Sequence, residues 1–242
     1  MTPLLLPWRS IRRGLAAGVG ALLLTGVAAQ GTAVAAPQGK PAKLTVKDYR
    51  AWLKTKDAKT LKAFDELPRT KQQKLVGYLQ NRAVTKEFNA KVTGALAKGG
   101  HSEVAYNKDV RFIGDVKTSD SDHSHGVHTI TVNFTATERI YDIPVLTQKT
   151  TLSYVYESFR PQPRITGKPK LKRSITNLNA AFAIEASKGA VTVKNKKTVV
   201  ANLTWYATPK YKSAGSGALT KRQTTTSSHG ATDKFTAVLT KS

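Results

Sequence analysis

The stretch TITVNFTATERIYDIPVLTQKTTLSYVYE, residues 129–157, decides the fold of this chain. Apolar residues from Ile130 to Ala136 alternate with threonine and asparagine, which is the period of two expected of a half-buried strand. The residues Tyr141–Pro144 predict a turn, and the alternation resumes over Leu152–Tyr156. The stretch is therefore predicted to form an antiparallel hairpin with one apolar and one hydroxyl-bearing face.

The same alternation continues on both sides of this hairpin. It predicts further strands at 109–117, 199–207, 219–226 and 234–240, the last two forming a closing hairpin around His229-Gly230. Residues 180–187 fit either a short helix or a strand, and the strand is preferred because Phe182 and Ile184 alternate. No segment repeats at a fixed period, and no helices separate the strands. Residues 101–242 are thus predicted to form an antiparallel β-sandwich or a barrel-like sheet.

A helical module is predicted over residues 45–100. Thr45 followed by Asp48 resembles a capping box, and apolar residues then recur at helical spacing through residue 96. Asp57 can cap a second helix, Pro68 ends that helix or opens the third, and Gly99-Gly100 stops the fourth. The predicted fold class is α+β, with three to four short helices followed by antiparallel strands.

The N-terminus carries the features of an export signal. Arg9, Arg12 and Arg13 precede the small, apolar run 14–29, and Ala33-Val34-Ala35 provides the small residues of a cleavage site. We expect a signal peptide at 1–35, with the choice between the Sec and Tat routes left open, and a flexible leader at 36–44. The protein is therefore expected to be extracellular, with no integral membrane span in the mature chain.

Composition limits the function classes. The chain has 242 residues and no cysteine, so disulfide scaffolds, cysteine-ligated zinc sites and thiol nucleophiles are excluded. It carries 39 Lys and Arg against 15 Asp and Glu, a formal net charge of +24. Such a balance favours solubility and attraction to acidic polymers or anionic cell-surface components.

Two short basic segments are candidate polyanion-binding sites. Residues 160–173, RPQPRITGKPKLKR, hold three prolines and no acid and are predicted to be a surface loop. The second segment is a basic turn at 194–197. Arginine and lysine there could hold phosphate or carboxylate groups, and a merely solvated connector is the alternative. The candidate residues are Arg160, Arg164, Lys168, Lys170, Lys172, Arg173, Lys194, Lys196 and Lys197.

A cluster of histidines and aspartates lies at the start of the opening hairpin. Asp120, Asp122, His123, His125 and His128 are of the types that ligate metals, and imidazole suits zinc or copper. In an extended chain, however, alternate side chains point to opposite faces, so convergence would require a curled loop around Gly126. A polar hairpin loop is the preferred interpretation, with a zinc or copper site as the alternative.

No enzyme motif is present. The chain contains no G-x-S-x-G, S-x-x-K, H-E-x-x-H or P-loop sequence. Nucleic-acid-reading modules are missing as well, so sequence-specific nucleic-acid binding is not expected. Whether the protein is an enzyme stays open, with the absence of motifs favouring a non-enzymatic role.

The export signal and the helical stretch FDELPRTKQQKLVGYLQN, residues 64–81, resemble the N-terminal parts of secreted proteins from high-GC Gram-positive (actinobacterial) bacteria. The resemblance implies a bacterial, extracellular protein and carries over no catalytic residue. The expected function is non-enzymatic binding to polyanions or acidic partners at the cell envelope. The alternatives are a secreted hydrolase with an unrecognised, metal-dependent or metal-free site, and a membrane-active, toxin-like β protein.

Overall fold

The computed structural model describes residues 39–95, 100–123, 125–159, 161–228 and 231–240. The predicted targeting segment, 1–35, lies outside these residues. Within them, four α-helices precede ten β-strands, so the predicted α+β class is confirmed. In chain order the elements are α1 (Val46–Lys56), α2 (Ala58–Asp65), α3 (Arg69–Leu79), α4 (Arg82–Ala95), β1 (Gly100–Ala105), β2 (Val110–Asp122), β3 (Val127–Ile140), β4 (Ile143–Glu157), β5 (Arg164–Asn177), β6 (Phe182–Ala186), β7 (Ala190–Lys194), β8 (Thr198–Pro209), β9 (Leu219–Ser228) and β10 (Ala231–Thr240).

The first helices begin at the predicted caps. The Thr45 hydroxyl accepts a hydrogen bond from the Asp48 amide at 3.1 Å and donates to the Asp48 carboxylate at 2.7 Å. The Asp57 carboxylate accepts from the amide of Lys59 at 3.0 Å, which caps α2. Such side-chain acceptors satisfy amides that have no partner within the helix. Of the apolar positions predicted to face inward, three are partly buried, Val46, Leu61 and Leu67, and Leu96 lies outside the described residues. The others are buried: Tyr49, Leu53, Phe64, Leu75, Val76, Leu79, Val84, Phe88 and Val92.

The first sheet contains β1 to β5 in sequence order, every neighbouring pair being antiparallel. The apolar residues from Ile130 to Ala136 are buried at alternate positions, as the opening stretch predicts. The β3–β4 turn is formed by Tyr141 and Asp142, whose φ angles are 51° and 63°. Positive φ at both central residues is the geometry of a tight hairpin turn whose twist matches the strands. The strand β1 was not predicted.

The second sheet has the order β10-β9-β8-β6, and β7 also pairs with β8. The strands β6 and β7 pair with different halves of β8. Phe182 of β6 lies opposite Pro209, and Ala190 of β7 lies opposite Asn202. The strand interpretation of residues 180–187 and the closing hairpin of β9 and β10 are both confirmed.

The helices pack on the sheets, and their buried residues share one apolar core with both sheets. The rings of Phe88 and Phe112 meet edge to face at 5.5 Å between centroids, and the Tyr49 hydroxyl donates to the carbonyl of Leu178 at 2.9 Å. Helix α4 contacts β1 and β2 of the first sheet and β10 of the second. It therefore covers one open side of the sandwich.

Residues 36–44 were predicted to be a flexible leader, and this prediction is wrong for residues 41–44, which are held by hydrogen bonds. The amides of Lys212 and Ser213 donate to the carbonyls of Pro41 and Ala42, each at 2.9 Å. The buried Leu44 binds Gln80 through both its amide (2.8 Å) and its carbonyl (3.0 Å). Burial of Leu44 requires partners for its backbone groups, and the Gln80 side chain supplies both.

The predicted loop at 160–173 is wrong from residue 164 onward, because Arg164–Asn177 is strand β5. Prolines disfavour central strands but are accepted on edge strands and at bulges. β5 is the edge of the first sheet, and its pairing with β4 shifts register between Ser153 and Val155. Pro169 and Gly167 (φ 68°) lie in the part of β5 that this irregularity leaves unpaired.

Candidate polyanion-binding surface

The candidate cations lie along one edge of the molecule, which we call the basic edge. It consists of the cationic residues of β5 and of the β7–β8 hairpin: Arg164, Lys168, Lys170, Lys172, Arg173, Lys194, Lys196 and Lys197. All are exposed except Arg164, which is partly buried. Lysines on an edge strand also prevent pairing with another sheet.

One cleft brings together cations from both parts of the basic edge. Arg164, Lys196 and Lys197 line a cleft of about 330 Å³ together with Gln162 and Asn195. The two parts are fixed by a backbone hydrogen bond of 2.6 Å from the Ile165 amide to the Lys196 carbonyl. The described residues that line this cleft include no acid. Its cations and amides are the groups that bind phosphate or carboxylate.

The β7–β8 turn gives this cleft a fixed shape. Asn195 and Lys196 have φ angles of 50° and 55°, as in the tight turns that join antiparallel strands. The Glu157 carboxylate lies 3.5 Å from Nε of Arg164 and offsets part of its charge. Both lysines of the turn are exposed.

A second, more open groove lies farther along β5. It has a volume of about 790 Å³, and Lys172, Arg173 and Ile175 face Ile184 and Glu185 of β6 across it. Nη1 of Arg173 donates to the Lys188 carbonyl at 3.2 Å, which joins the edges of the two sheets at one end of the groove. The groove is cationic on the β5 side and carries one carboxylate, Glu185, on the other.

The structure places the predicted cations as follows. Arg164, Lys196 and Lys197 line the first cleft. Lys172 and Arg173 line the second. Lys168 and Lys170 lie on β5 between the two clefts, and Lys194 ends β7 beside the turn. Arg160 lies outside the described residues.

The histidine cluster forms a hairpin end, as the preferred interpretation predicts. Nδ1 of His128 is 3.1 Å from Asp120, and its Nε2 is 3.1 Å from the Ser158 hydroxyl. Nε2 of His123 is 2.9 Å from the Thr129 hydroxyl. His125, with a φ of 51°, lies in the turn itself, and Asp122 ends β2.

Of these side chains, His128 and Asp120 are in direct contact. Within the described ranges, no three His, Asp or Glu side chains are arranged to hold a metal ion. The zinc or copper alternative therefore has no ligand set in that part of the chain.

The sequence did not indicate a set of polar side chains between the two sheets. Gln148, Thr150 and Tyr154 of β4 face Lys221, Gln223 and Ser227 of β9, and we call these six residues the polar seam. Nζ of Lys221 donates to Oε1 of Gln148 at 2.7 Å. Nε2 of Gln223 donates to Thr150 at 3.0 Å, and the hydroxyls of Tyr154 and Ser227 lie 2.8 Å apart.

One lysine and one glutamate are enclosed in the interior, Lys221 and Glu138, each 1% exposed. Burial lowers the pKa of Lys221 to about 7 and raises the pKa of Glu138 to about 8, because a low-dielectric interior disfavours the charged form. Neither carboxylate oxygen of Glu138 has a hydrogen-bond partner among the described residues. The only sequence signal for Lys221 was its place in an alternating strand with polar residues on both faces.

No protein-family profile, curated protein or solved structure matches this chain. Among the helices described, none is both long and apolar enough to cross a membrane.

Proposed function

We propose that the protein is a secreted, non-enzymatic binding protein that attaches to anionic polymers at the bacterial cell envelope through its basic edge. The observation that supports this most is the first cleft, where Arg164, Lys196 and Lys197 meet and no described lining residue is acidic. The formal net charge, +24 for the whole chain and +21 without the three arginines of the expected signal peptide (39 − 3 − 15), adds a long-range attraction to the same partners.

The spacing of the two clefts favours a polymer over a small anion. Arg164 and Lys172 are eight positions apart on β5, or roughly 25 Å at the rise of a strand. Lys168 and Lys170 provide exposed charges between them. A chain with repeated phosphate, sulfate or carboxylate groups would contact both clefts at once, and such linked contacts reinforce each other.

The extracellular location rests on the N-terminal arginines, the apolar run that follows them and the small residues Ala33-Val34-Ala35 of a cleavage site. Teichoic acids, acidic polysaccharides and acidic proteins are the polyanions of that compartment.

The test is salt elution from heparin and from immobilised inorganic polyphosphate. The variant combines Arg164→Gln, Lys172→Glu and Lys197→Glu, and Lys196 stays unchanged because its φ of 55° would add a backbone effect. We expect elution at a roughly twofold lower NaCl concentration, because fewer cations displace counterions from the polymer.

The matched control combines Lys62→Gln, Lys74→Glu and Lys86→Glu, three exposed helical lysines, and changes the net charge by the same amount. It should elute close to the wild type. Equal losses in the two variants would mean that net charge alone drives retention, and the basic edge would then not be the binding surface.

A further inference from the structure

The contact between Lys221 and Gln148 has the geometry of a reactive pair. Nζ of Lys221 lies 2.7 Å from Oε1 of Gln148, and an amide C=O bond is about 1.23 Å long. The amide carbon therefore lies within about 3.9 Å of the amine, close to the near-attack range of about 3–3.5 Å. Both residues are buried, on facing strands of different sheets.

The surroundings of Lys221 favour a neutral, nucleophilic amine. Its Nζ lies 5.5 Å from the ring centroid of Phe88 and 5.7 Å from that of Trp205. Burial among such groups lowers the pKa to about 7, so a large share of the amine is unprotonated at neutral pH. A neutral amine can donate one hydrogen to Gln148 and keep its lone pair, and buried lysines are used as nucleophiles in this way.

A buried acid lies on the same inner face. In the β3–β4 register Ala136 is opposite Gln148 and Glu138 is opposite Leu146, so Glu138 is a diagonal neighbour of Gln148. Diagonal neighbours lie about 7–8 Å apart, within reach of long side chains. The pKa of Glu138, raised by burial to about 8, keeps its proton on at neutral pH. An unpaired buried acid of this kind requires an explanation, and a role in proton transfer is one.

We propose that Lys221 and Gln148 join in an intramolecular isopeptide bond, with Glu138 relaying the proton. The amine nitrogen attacks the side-chain amide carbon of Gln148, and a new N–C bond forms. The bond from that carbon to the amide nitrogen breaks, one amine proton passes to the departing nitrogen, and ammonia leaves. The step is a transamidation in which nothing is oxidised or reduced.

The interior has a place for the leaving ammonia. Phe88, Gln148 and Trp205, which all lie near the Lys221 amine, line a small, partly open cavity of about 10 Å³ together with the exposed Tyr206, about the volume that one water-sized molecule occupies. Ile184 lines both this cavity and the open groove beside β5. A movement of that side chain gives ammonia a route to solvent.

The product would link the two sheets covalently. The chain has no cysteine, so no disulfide can perform this function. The bond would close the chain segment from Gln148 in β4 to Lys221 in β9 into a covalent ring. The proposal is independent of any binding at the basic edge.

Intact-mass measurement and peptide mapping of the purified full-length chain test the proposal. We expect the mass to be lower by one ammonia, and digestion to yield one linked peptide that contains both Lys221 and Gln148. Lys221→Met and Gln148→Met should each restore the unmodified mass. The control Lys149→Met, which removes an exposed lysine next to Gln148, should retain the loss.

The wild-type mass decides the question even if the interior variants fail to fold. A wild-type chain of full mass, with unlinked peptides for both residues, would overturn the proposal.

The role of Glu138 is tested by cell-free synthesis of the full chain, followed by timed quenching in denaturant and gel electrophoresis. The closed ring migrates faster than the open chain, so its formation can be timed. Glu138→Gln should slow ring closure at least tenfold. An unchanged rate would remove Glu138 from the reaction.

Discussion

The basic edge and the polar seam both depend on lysine, yet they place it in opposite surroundings. Along β5 the ammonium groups of Lys168, Lys170 and Lys172 are exposed. In the seam, Lys221 is buried under Phe88 and Trp205, and burial lowers its pKa to about 7. At neutral pH the edge therefore presents fixed positive charge, whereas the seam holds an amine close to neutrality.

The difference shows that burial, and not residue type, decides what a lysine can do. An exposed ammonium is a point charge that attracts anions and is screened by salt. An enclosed amine loses its hydration, becomes neutral more easily and gains nucleophilicity. Changes to the interior should therefore alter stability and its pH dependence, and changes to the edge should alter binding alone.

The largest expected effect is a pH-dependent stability due to Glu138. Its pKa is raised from 4.5 in the unfolded chain to about 8 in the folded protein, so between these values the native state holds a proton that the unfolded chain has lost. The resulting stabilisation is complete below pH 4.5 and disappears as the pH rises to 8. The shift corresponds to about 5 kcal/mol of unfolding free energy, measurable by urea denaturation at a series of pH values.

Glu138→Gln should flatten this dependence, whereas the exposed Glu103→Gln should leave it unchanged. Burial together with the Glu138 charge raises the pKa of Tyr49 well above this range. Burial lowers the pKa of Lys221 to about 7, so its contribution to stability rises with pH above 7 and the fall due to Glu138 is measured between pH 4.5 and 7. Stability that does not fall between pH 4.5 and 7 in the wild type would show that the carboxyl is hydrated in solution.

A smaller effect is expected where the basic edge meets the second sheet. Gly189 has a φ of 81°, and a Cβ there would lie 2.7 Å from a Leu171 methyl and 3.2 Å from the Asn202 carbonyl. Gly189→Ala should lower the unfolding free energy by about 2 kcal/mol, from backbone strain and from the contact together.

Gly217→Ala separates these two contributions. Gly217 has a similar φ of 69°, but no described atom lies within 4 Å of its Cβ position. Its substitution should cost about 1 kcal/mol, from the backbone alone. Equal losses at the two glycines would mean that the sheet edges are farther apart in solution than in the structure.

The smallest effect on stability should come from the basic edge itself. The variant with Arg164→Gln, Lys172→Glu and Lys197→Glu should keep the unfolding free energy within about 1 kcal/mol of the wild type, because Lys172 and Lys197 are exposed and the ion pair of the partly buried Arg164 with Glu157 is weak. Thermal and urea denaturation provide the measurement. A larger loss would show that these cations support the fold, and reduced polymer binding by this variant would then need another explanation.

Local sequence predicted most of the elements. Thr45 and Asp57 cap helices because their side chains accept hydrogen bonds from the next residues of the same chain. The alternation from Ile130 to Ala136 predicted a half-buried strand because successive side chains point to opposite faces. The extents of these elements depend on near neighbours, which are visible in the sequence.

The error at residues 164–173 has a different origin. Pro163, Pro169 and Gly167 disfavour a central strand, and that reasoning is sound for a strand with two partners. β5 has one partner, β4, and the irregular register near Val155 leaves Pro169 unpaired. An edge position and a bulge depend on the neighbouring strand, so the segment alone could not reveal them.

The candidate site was predicted in part. Basic residues at 160–173 and 194–197 were identified from composition, but the meeting of Arg164, Lys196 and Lys197 in one cleft depends on the contact between Ile165 and Lys196. The histidines were recognised as either a loop or a metal site. Only the tertiary structure pairs His128 with Asp120 and Ser158, and His123 with Thr129.

By itself, the sequence determined the helices with their caps, the alternating strands and the high positive charge, because propensity, periodicity and composition act over short distances. The tertiary structure decided which face of β9 is inside. In LTKRQTTTSS, residues 219–228, both faces of the strand are polar. The alternation places Lys221 and Arg222 on opposite faces but does not show which of the two is buried. The facing strand β4 decides it, since Gln148 and Thr150 provide the hydrogen-bond partners that a buried lysine and glutamine require.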